Sequence, residues 1–408
     1  MTNDPYNSYT ELRRNVAACG DTVHVAWCDD SMEKLTIHYV RSMDAGLNWD
    51  TEIQQTDGEY NSENVTIAAS GNYVHLVYKH YTTFSSPDDT LIYIRSTNGG
   101  VDWESEVHLT GSGGIKWHPS IDLSGNFVHV TWYGKIQDEW QVSYVRSEDY
   151  GTTWGDPVQM TFNPDMSIAS TLAAAASVVH LVWHDWRHGD PEIYYKRSAD
   201  NGTTWGDDIR LTDCAGQSRM PEIDCNGDFV QIVFQDSRGG DYEIYSMTSL
   251  DGGLSWGPEV RLTFESSGSE LPFVSIVGSE SHIVWEDLRA GIWQVYYMVG
   301  HNFGSTWDEV ERLTNTVYDA KRPSLAFSGD WLHVVWYDER DGNTEIYCKN
   351  KYVENPIGIN EESLDAEGME WSIYPNPASS QFAIAPTPSL PQLGEGEREG
   401  ANNNSLTI

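Results

Sequence analysis

The segment RSADNGTTWGDDIRLT, residues 197–212, recurs along the chain with only small changes. The copy before it reads RSEDYGTTWGDPVQMT (146–161), and the copy after it reads TSLDGGLSWGPEVRLT (248–263). Six such copies carry a tryptophan at the same place, and successive tryptophans are 54, 51, 51, 51 and 51 residues apart. A repeat of this length predicts an array of like sheets, because each repeat needs its neighbours to bury its apolar face.

The repeated segment centres on a turn of the form Ser-x-Asp-x-Gly-x-x-Trp. In such a turn Asp or Asn hydrogen-bonds to the backbone that follows it, and Gly supplies a positive φ. The tryptophan ring then packs under the turn or between repeats. We therefore expect these turns to brace the fold and not to bind a ligand. Their Asp or Asn and Trp residues are Asp44, Asn98, Asp149, Asp200, Asp251, Asn302, Trp49, Trp103, Trp154, Trp205, Trp256 and Trp307.

Each repeat contains four strand-like runs, three before the turn and one after it. The second run, VHLVW (179–183) in one copy, occurs in similar form seven times. Its alternation of β-branched and aromatic residues is typical of strands. Four antiparallel strands in each repeat form a propeller blade. The predicted fold is therefore all-β, a seven-bladed β-propeller of four-stranded antiparallel blades, with six blades as the alternative.

The seventh repeat differs at its end. Its segment 323–349 supplies three strands, after which the chain continues as KNKYVENP (349–356) without another turn. The first residues, 1–20, parallel 313–329 with a connection three residues longer. We therefore expect the chain to begin at the tail of a fourth strand. The last blade is predicted to lack its closing strand, which in a closed ring would join the two ends at that blade.

The composition excludes several classes of protein. The 24 Lys and Arg residues stand against 62 Asp and Glu, for a net charge of −38. Such a surface repels phosphate backbones, so we expect no nucleic-acid partner. No run of about 18 apolar residues exists, so we expect no insertion into a membrane. Five cysteines without CxxC spacing argue against a disulfide framework and against a zinc site.

Turns of this form, spaced around a propeller, resemble the Asp-box, or bacterial neuraminidase repeat, of the sialidase-like superfamily. The resemblance covers residues 1–350, within a predicted propeller domain of residues 1–352. It implies an architecture more than an activity, since such propellers include sialidases, other hydrolases, receptors and assembly factors. In that family the boxes lie on the face opposite the active site. The resemblance thus implies a functional face that carries the turns between second and third strands.

Those turns contain a second repeated phrase, Asp-x-Arg-x-Gly, in four blades. A ring of guanidinium groups could bind the carboxylate of an anionic sugar. Alternatively each arginine pairs with an aspartate of its own or the adjacent blade, and the equal spacing favours this interpretation. The candidate binding arginines are Arg187, Arg238, Arg289 and Arg340, beside Asp185, Asp236, Asp287 and Asp338.

Three other arginines do not follow the repeat so evenly. Arg13, Arg219 and Arg322 each precede an innermost strand, which predicts positions near the mouth of the central channel. The resemblance implies three arginines around a substrate carboxylate, a tyrosine nucleophile assisted by a glutamate, and an aspartate that serves as the acid. We therefore take these three as candidate catalytic residues, with channel-mouth salt bridges as the alternative. The Ile-Pro that follows the first arginine in sialidases is missing here, and Tyr60 with Glu63, or Tyr318, are only guesses for the nucleophile.

The second blade breaks the repeat on the same face. Its turn KHYTTFSSPDDT (79–90) is three residues longer than the others and lacks the Asp-x-Arg-x-Gly phrase. Loops that break a repeat are where ligand binding tends to occur. Aromatic residues there could stack on a sugar ring or could cap the blade. The candidates are Tyr81, Phe84, Trp117 and His118.

One strand position carries histidine in six blades and Gln231 in the remaining one. Glutamine is a poor metal ligand but a good hydrogen-bonding partner, so this position is predicted to be a buried hydrogen-bonding site. No phosphate loop, catalytic triad order or calcium loop is present in the sequence. We expect no metal and no cofactor. The six histidines are His24, His75, His129, His180, His282 and His333.

The composition shifts after residue 352. Residues 353–368 are predicted to form an acidic linker, and residues 369–408 a disordered tail. The Tyr-Pro-Asn-Pro turn of MEWSIYPNPASSQFAIA (369–385) resembles the start of the C-terminal sorting domain used in type IX secretion. The first ten residues, MTNDPYNSYT, lack the features of a signal peptide. The resemblance implies an extracellular or cell-surface location in a bacterium.

These observations favour a secreted propeller that acts as a binding or scaffold module toward a glycan or a surface protein, and we expect a monomer. The alternative is an exo-glycosidase of sialidase type, with the arginine cluster on the substrate carboxylate. A third option, a polysaccharide lyase or other propeller hydrolase, needs a pair of carboxylates that the sequence does not place.

Overall fold

The computed structural model describes residues 1–2, 6–83 and 88–353, and the backbone of 372–374. The predicted linker and tail lie outside the described residues except at 353 and 372–374. The described residues form thirty strands in seven antiparallel sheets arranged as a ring. The prediction of a seven-bladed all-β propeller is therefore confirmed. Within these residues, no helix has the length and apolar character needed to cross a membrane.

The strands follow one another blade by blade from the channel outward. Blade 1 contains β1 (Ser8–Tyr9), β2 (Val16–Cys19), β3 (Thr22–Asp29), β4 (Thr36–Ser42) and β5 (Ile53–Gln54). Blade 2 contains β6 (Asn61–Ser70), β7 (Tyr73–Tyr81), β8 (Thr90–Ser96) and β9 (Val107–His108). Blade 3 contains β10 (Lys116–Ser124), β11 (Phe127–Ile136), β12 (Glu139–Ser147) and β13 (Val158–Gln159). Blade 4 contains β14 (Ser167–Ala175), β15 (Val178–Asp185), β16 (Glu192–Ser198) and β17 (Ile209–Arg210).

The remaining blades keep this order. Blade 5 contains β18 (Ser218–Asn226), β19 (Phe229–Asp236), β20 (Glu243–Ser249) and β21 (Val260–Arg261). Blade 6 contains β22 (Ser269–Val277), β23 (Glu280–Asp287), β24 (Gln294–His301), β25 (Thr306–Trp307) and β26 (Glu311–Arg312). Blade 7 contains β27 (Ala320–Ser328), β28 (Trp331–Asp338), β29 (Glu345–Tyr352) and β30 (Ser372–Tyr374).

The ring closes at blade 7, whose own repeat supplies three strands, as predicted. The start of the chain occupies part of the outer position, because the Met1 amine donates to the Ile346 carbonyl at 2.5 Å and the Ile346 amide donates to Thr2 Oγ1 at 2.8 Å. The short strand β30 pairs with β29 beside it. The two ends of the propeller therefore share one strand position, and an apolar cluster joins blades 7 and 1 through Val335 and Trp27.

Neighbouring blades are joined by a repeated contact between a tyrosine and the turn of the next blade. In blade 3 the His129 Nδ1 lies 2.7 Å from Tyr144 Oη, so this position is the buried hydrogen-bonding site that the sequence predicted. The Tyr144 ring packs edge-on against Trp205 of blade 4, with centroids 5.1 Å apart. A Cβ on Gly202 would lie 2.0 Å from Tyr144 Oη, so only glycine fits there. These turns therefore brace one blade against the next.

Each turn is also held internally. In blade 4 the Gly202 amide donates to Ser198 Oγ at 2.8 Å, and the Thr204 amide donates to Asp200 Oδ1 at 2.8 Å. Hydrogen bonds from Thr204 and Ser198 lower the pKa of Asp200 to about 2. Equivalent bonds to the serine occur in blades 1, 2, 3 and 5, whereas blade 6 has Gly300 in place of the serine.

Candidate functional site

The four arginines of the Asp-x-Arg-x-Gly turns pair with the aspartates two residues before them. Arg187 donates from Nε to Asp185 Oδ1 at 2.9 Å and from Nη2 to Asp185 Oδ2 at 2.7 Å. Burial alone would raise the pKa of Asp185, but hydrogen bonds from Arg187 and its neighbours hold that pKa below its usual value. Each guanidinium also lies over a tyrosine ring of its own blade. The same pairs form at Arg238, Arg289 and Arg340.

This pairing is the second of the two interpretations that the sequence left open. The Arg187 Nη1 also forms an ion pair with Asp208 at 2.9 Å, and Arg289 Nη1 forms one with Glu265 at 3.2 Å. Guanidinium groups with two carboxylate partners have few donors left for a ligand. These arginines therefore stabilise the turns between the second and third strands of their blades.

The innermost strands of six blades share a break near the mouth of the channel. At this point the strand pairing shifts and one residue takes a positive φ between 44° and 56°. The break recurs at the repeat interval, so Arg322 and Met220 occupy equivalent positions while Arg219 lies one residue earlier in its strand. The residues with positive φ are Asn64, His118, Ala169, Met220, Leu271 and Arg322.

Blade 1 replaces this break with the longer connection between β1 and β2, whose side chains cross the channel near its mouth. Arg13 is 5% exposed and forms an ion pair with Glu222 of blade 5. Thr171 Oγ1 of blade 4 donates to Glu222 Oε2 at 3.1 Å. Arg14 forms an ion pair with Asp122 of blade 3 at 3.3 Å. The three-residue insertion seen in the sequence thus forms a plug that ties blade 1 to the far side of the ring.

Arg322 joins blade 7 to the same connection. Its Nη1 lies 3.5 Å from Glu11 Oε2, and its backbone amide donates to Glu286 Oε2 of blade 6 at 3.1 Å. Burial raises the pKa of Glu11 to about 7, against the opposing effect of Arg322. Burial also raises the pKa of Glu286 to about 7. Arg13, Arg322, Glu11 and Glu222 line one pocket at the channel mouth.

Arg219 lies outside the lining of that pocket. Its guanidinium lies over the indole of Trp186, 4.9 Å from the ring centroid, and forms no ion pair with any described residue. Burial raises the pKa of the nearby Glu270 carboxyl, and a hydrogen bond with Gln235 and the charge of Arg219 oppose that rise. Arg13 and Arg322 therefore each pair with a glutamate whereas Arg219 lies on an indole, and the catalytic role of the three arginines stays a prediction.

A hydrogen-bonded tyrosine and glutamate occur in blade 2. Tyr81 Oη donates to Glu63 Oε2 at 3.3 Å, while Lys79 Nζ forms an ion pair with Glu63 at 2.6 Å. Lys79 Nζ also lies 3.9 Å from the ring centroid of Trp117. Tyr81 is 2% exposed, and burial raises the pKa of its hydroxyl. This pair differs from the guesses made from the sequence, which paired Glu63 with Tyr60.

Trp117 and His118 belong to β10 of blade 3, and Lys79 lies between the Tyr81 and Trp117 rings. Trp117 is half-buried beneath Lys79, and the His118 amide donates to Asn64 Oδ1 at 3.2 Å. Burial, with the charges of Arg13, Arg322 and Lys79, holds the pKa of His118 well below its usual value. Phe84 lies outside the described residues.

Sequence reasoning missed one position near the end of each second strand, which directly precedes an aspartate in blades 1, 4, 5, 6 and 7. This position carries a different side chain in almost every blade, and in blades 4 to 6 it holds the amide at the break of the next blade. Gln235 Oε1 accepts from the Leu271 amide at 2.9 Å, for example. Variation at a constant interval is the signal that could have identified it. The residues are Cys28, Lys79, Tyr133, His184, Gln235, Glu286 and Tyr337.

Comparison with known proteins shows a shared fold at low sequence identity. An ulvan lyase, described as a new family of polysaccharide lyase, has a TM-score of 0.56 at 12% identity, covering 84% of this chain and 92% of the lyase. The endosialidase of phage phi92 has a TM-score of 0.55 at 8% identity, covering 95% and 75%. A Dyadobacter fermentans protein of unknown function has a TM-score of 0.53 at 11% identity, covering 72% and 96%. The chain thus has the fold of the sialidase-like propellers.

No protein-family model and no curated protein matches the sequence.

Proposed function

We propose that this propeller is a carbohydrate-binding module that contacts an acidic sugar at its channel mouth through Arg219. The observation that carries the proposal is the state of that guanidinium, which rests on Trp186 and forms no ion pair with any described residue. A guanidinium stacked on an aromatic ring keeps planar N–H edges that match a carboxylate. Arg13 and Arg322, by contrast, are already paired with Glu222 and Glu11.

The surroundings of Arg219 support a sugar as the ligand. The indole of Trp293 and the carboxyl of Glu270 both border Gly268 on this face, and both side chains are partly exposed. Tyr242 is half-buried nearby and donates from Oη to Gln217 at 2.8 Å. Aromatic faces with a few polar groups are typical of ligand sites that bury an amphipathic molecule. Arg219 would contact the sugar carboxylate, and Trp186 and Trp293 would flank the sugar ring.

Calorimetry with two acidic probes, 3′-sialyllactose and digalacturonate, tests this proposal. We expect at least one of them to bind the full chain and lactose to bind more weakly at this site. Arg219→Gln should weaken acidic-probe binding at least about tenfold, the usual effect of removing one charge-assisted contact. Arg95→Gln is the matched control, because Arg95 pairs with exposed Glu104 beside the bracing turns. Absence of binding by both probes, or equal binding by Arg219→Gln, would contradict the proposal.

An exo-sialidase is the second candidate, and the contact between Tyr81 and Glu63 favours it. The raised pKa of Tyr81 opposes it, because a protonated phenol is a weak nucleophile. Release of methylumbelliferone from its sialoside separates the two functions. A binding module gives no release. Turnover that is lost in both Tyr81→Phe and Arg219→Gln would replace the binding proposal with hydrolysis.

We also propose that the protein acts outside the cell, as the resemblance of its tail to a sorting segment suggests. Protease treatment of intact producing cells, followed by detection of the propeller with an antibody, tests this location. Digestion of the propeller in intact cells, or its recovery from the medium, supports the proposal. Protection until the cells are lysed contradicts it.

A further inference from the structure

A second cavity lies at the outer part of blade 2 and shares no lining residue with the channel-mouth pocket. Its volume is about 550 Å³, which is within the range of small-molecule sites. Tyr60, His80, Glu106, His108 and Thr110 contribute to its wall. It occurs in blade 2, one of the three blades that lack the Asp-x-Arg-x-Gly turn.

His80 occupies the position that carries a buried aspartate in blades 1, 4, 5, 6 and 7. In blade 4 that aspartate, Asp185, accepts from Ser167 Oγ at 2.8 Å and binds Arg187. Blade 2 has neither the aspartate nor the arginine at these positions. The local hydrogen-bonding network of the regular blade is therefore absent here.

The substitution leaves buried polar atoms without partners. His80 is 9% exposed, and its Nε2 makes no hydrogen bond with any described residue. Ser62, the equivalent of Ser167, is 0% exposed, and its Oγ likewise lacks a partner among the described residues. Buried polar groups are normally hydrogen-bonded, because an unpaired group has lost water without compensation. A buried imidazole nitrogen without a described partner, in a side chain that lines a cavity, points to a ligand that hydrogen-bonds to it.

The remaining wall supplies an aromatic face and a carboxylate. The Tyr60 ring stacks on the His80 ring with centroids 5.3 Å apart. Tyr60 as a whole residue is 39% exposed. Tyr78 Oη donates to Glu106 Oε1 at 2.9 Å, which fixes that carboxylate 3.9 Å from His80 Nε2. A carboxylate and a neutral imidazole this close can bind two adjacent hydroxyl groups.

The charge of the cavity excludes an acidic ligand. Its described lining includes Glu106 and Asp88 but no lysine or arginine. Burial lowers the pKa of His80, although the neighbouring carboxylates of Glu106 and Asp57 oppose that shift. An uncharged imidazole beside carboxylates does not offset the negative charge that a ligand carboxylate would add.

We propose that this cavity is a binding site for a neutral sugar, with adjacent hydroxyls on His80 Nε2 and Glu106 and the sugar ring against Tyr60. The site is separate from the one proposed at Arg219. It is expected to prefer a neutral sugar, whereas the Arg219 site is expected to prefer an acidic one. It does not depend on the channel-mouth proposal, because no residue is shared.

Saturation-transfer NMR with lactose, maltotriose and cellotriose as separate probes tests the site in the full chain. We expect at least one probe to bind and Tyr60→Ala to weaken that binding at least about fivefold, because the aromatic contact is lost. Tyr318→Ala is the matched control, since Tyr318 is also exposed but lies outside this cavity. His80→Gln keeps a hydrogen-bonding group and should weaken binding less than His80→Ala.

The outcomes distinguish this site from the first one. Binding of a neutral probe that is lost in Tyr60→Ala and kept in Arg219→Gln supports the proposal. Failure of all three probes to bind, equal binding in Tyr60→Ala, or loss of binding in Arg219→Gln overturns it. Binding of 3′-sialyllactose in the same cavity, displaced by the neutral probe, would also overturn the predicted charge preference.

Discussion

Arg13 of blade 1 and Glu222 of blade 5 form an ion pair across the central channel, with side chains 6% and 8% exposed. This contact joins two blades that are not neighbours in the ring. The contact uses one nitrogen of the Arg13 guanidinium, Nη1, and holds that side chain across the channel. The pair therefore stabilises the channel plug, and a catalytic role for Arg13 stays a prediction.

The first prediction concerns this pair. Arg13→Met leaves the Glu222 carboxylate buried without its cation, and we expect a loss of about 3–5 kcal/mol in the free energy of unfolding. Urea denaturation followed by tryptophan fluorescence measures it. The double variant Arg13→Met with Glu222→Met should recover most of the loss, because no charge is left buried. A single variant as stable as the parent would contradict the predicted role.

A second prediction concerns the buried histidines. Burial lowers the pKa of His180 to about 3, below its ordinary value of 6.5. Between these values the unfolded chain binds a proton that the folded chain does not, so stability rises with pH across this window. His180→Gln should lower that slope by about 1.4 kcal/mol per pH unit. Unfolding curves from pH 4 to 8 measure the slope, and Gln231→His in blade 5 should steepen it.

A third prediction concerns Glu286, whose pKa burial raises to about 7 from 4.5. Here the folded state holds the proton longer than the unfolded state, so the contribution of this group to stability falls as pH rises from about 4.5 to 7. Glu286→Gln removes that fall and keeps an acceptor for the Arg322 amide. The same pH series measures the difference between variant and parent. A difference that does not change with pH would show that Glu286 titrates normally.

The fourth prediction concerns the contact between blades 3 and 4. Gly202→Ala introduces a Cβ 2.0 Å from Tyr144 Oη at a φ of +75°. Gly189→Ala is a matched control, because Gly189 has a φ of +99° but no atom within 4 Å of the added Cβ. We expect Gly202→Ala to cost about 1–3 kcal/mol more than Gly189→Ala, the usual cost of overpacking. Thermal unfolding of both variants measures the difference, and equal losses would contradict it.

The ring could be predicted because its evidence is local and repeated. The constant interval between tryptophans such as Trp154 and Trp205 shows the blades, and the likeness of 1–20 to 313–329 shows where the ring closes. The pairing of Arg187 with Asp185 could also be predicted, since both residues lie in one turn and recur with it.

The state of the channel arginines could not be predicted in the same way. The partner of Arg13 lies 209 residues away, and no spacing rule links blade 1 to blade 5. Arg219 lies one residue earlier in its repeat than Arg322, and the two side chains meet different partners, Trp186 and Glu11. Such differences depend on side-chain reach across a channel, which a repeat pattern does not encode.

The varying position near the end of each second strand, which precedes an aspartate in five blades, limits how this face can diversify. In blades 4, 5 and 6 it must keep an acceptor, because His184, Gln235 and Glu286 each hold a backbone amide of the following blade. Among the described contacts, Lys79 in blade 2 and Tyr133 in blade 3 accept no hydrogen bond from a backbone amide of the following blade. New specificities would therefore arise most readily on one arc of the ring, leaving the opposite arc as an invariant frame.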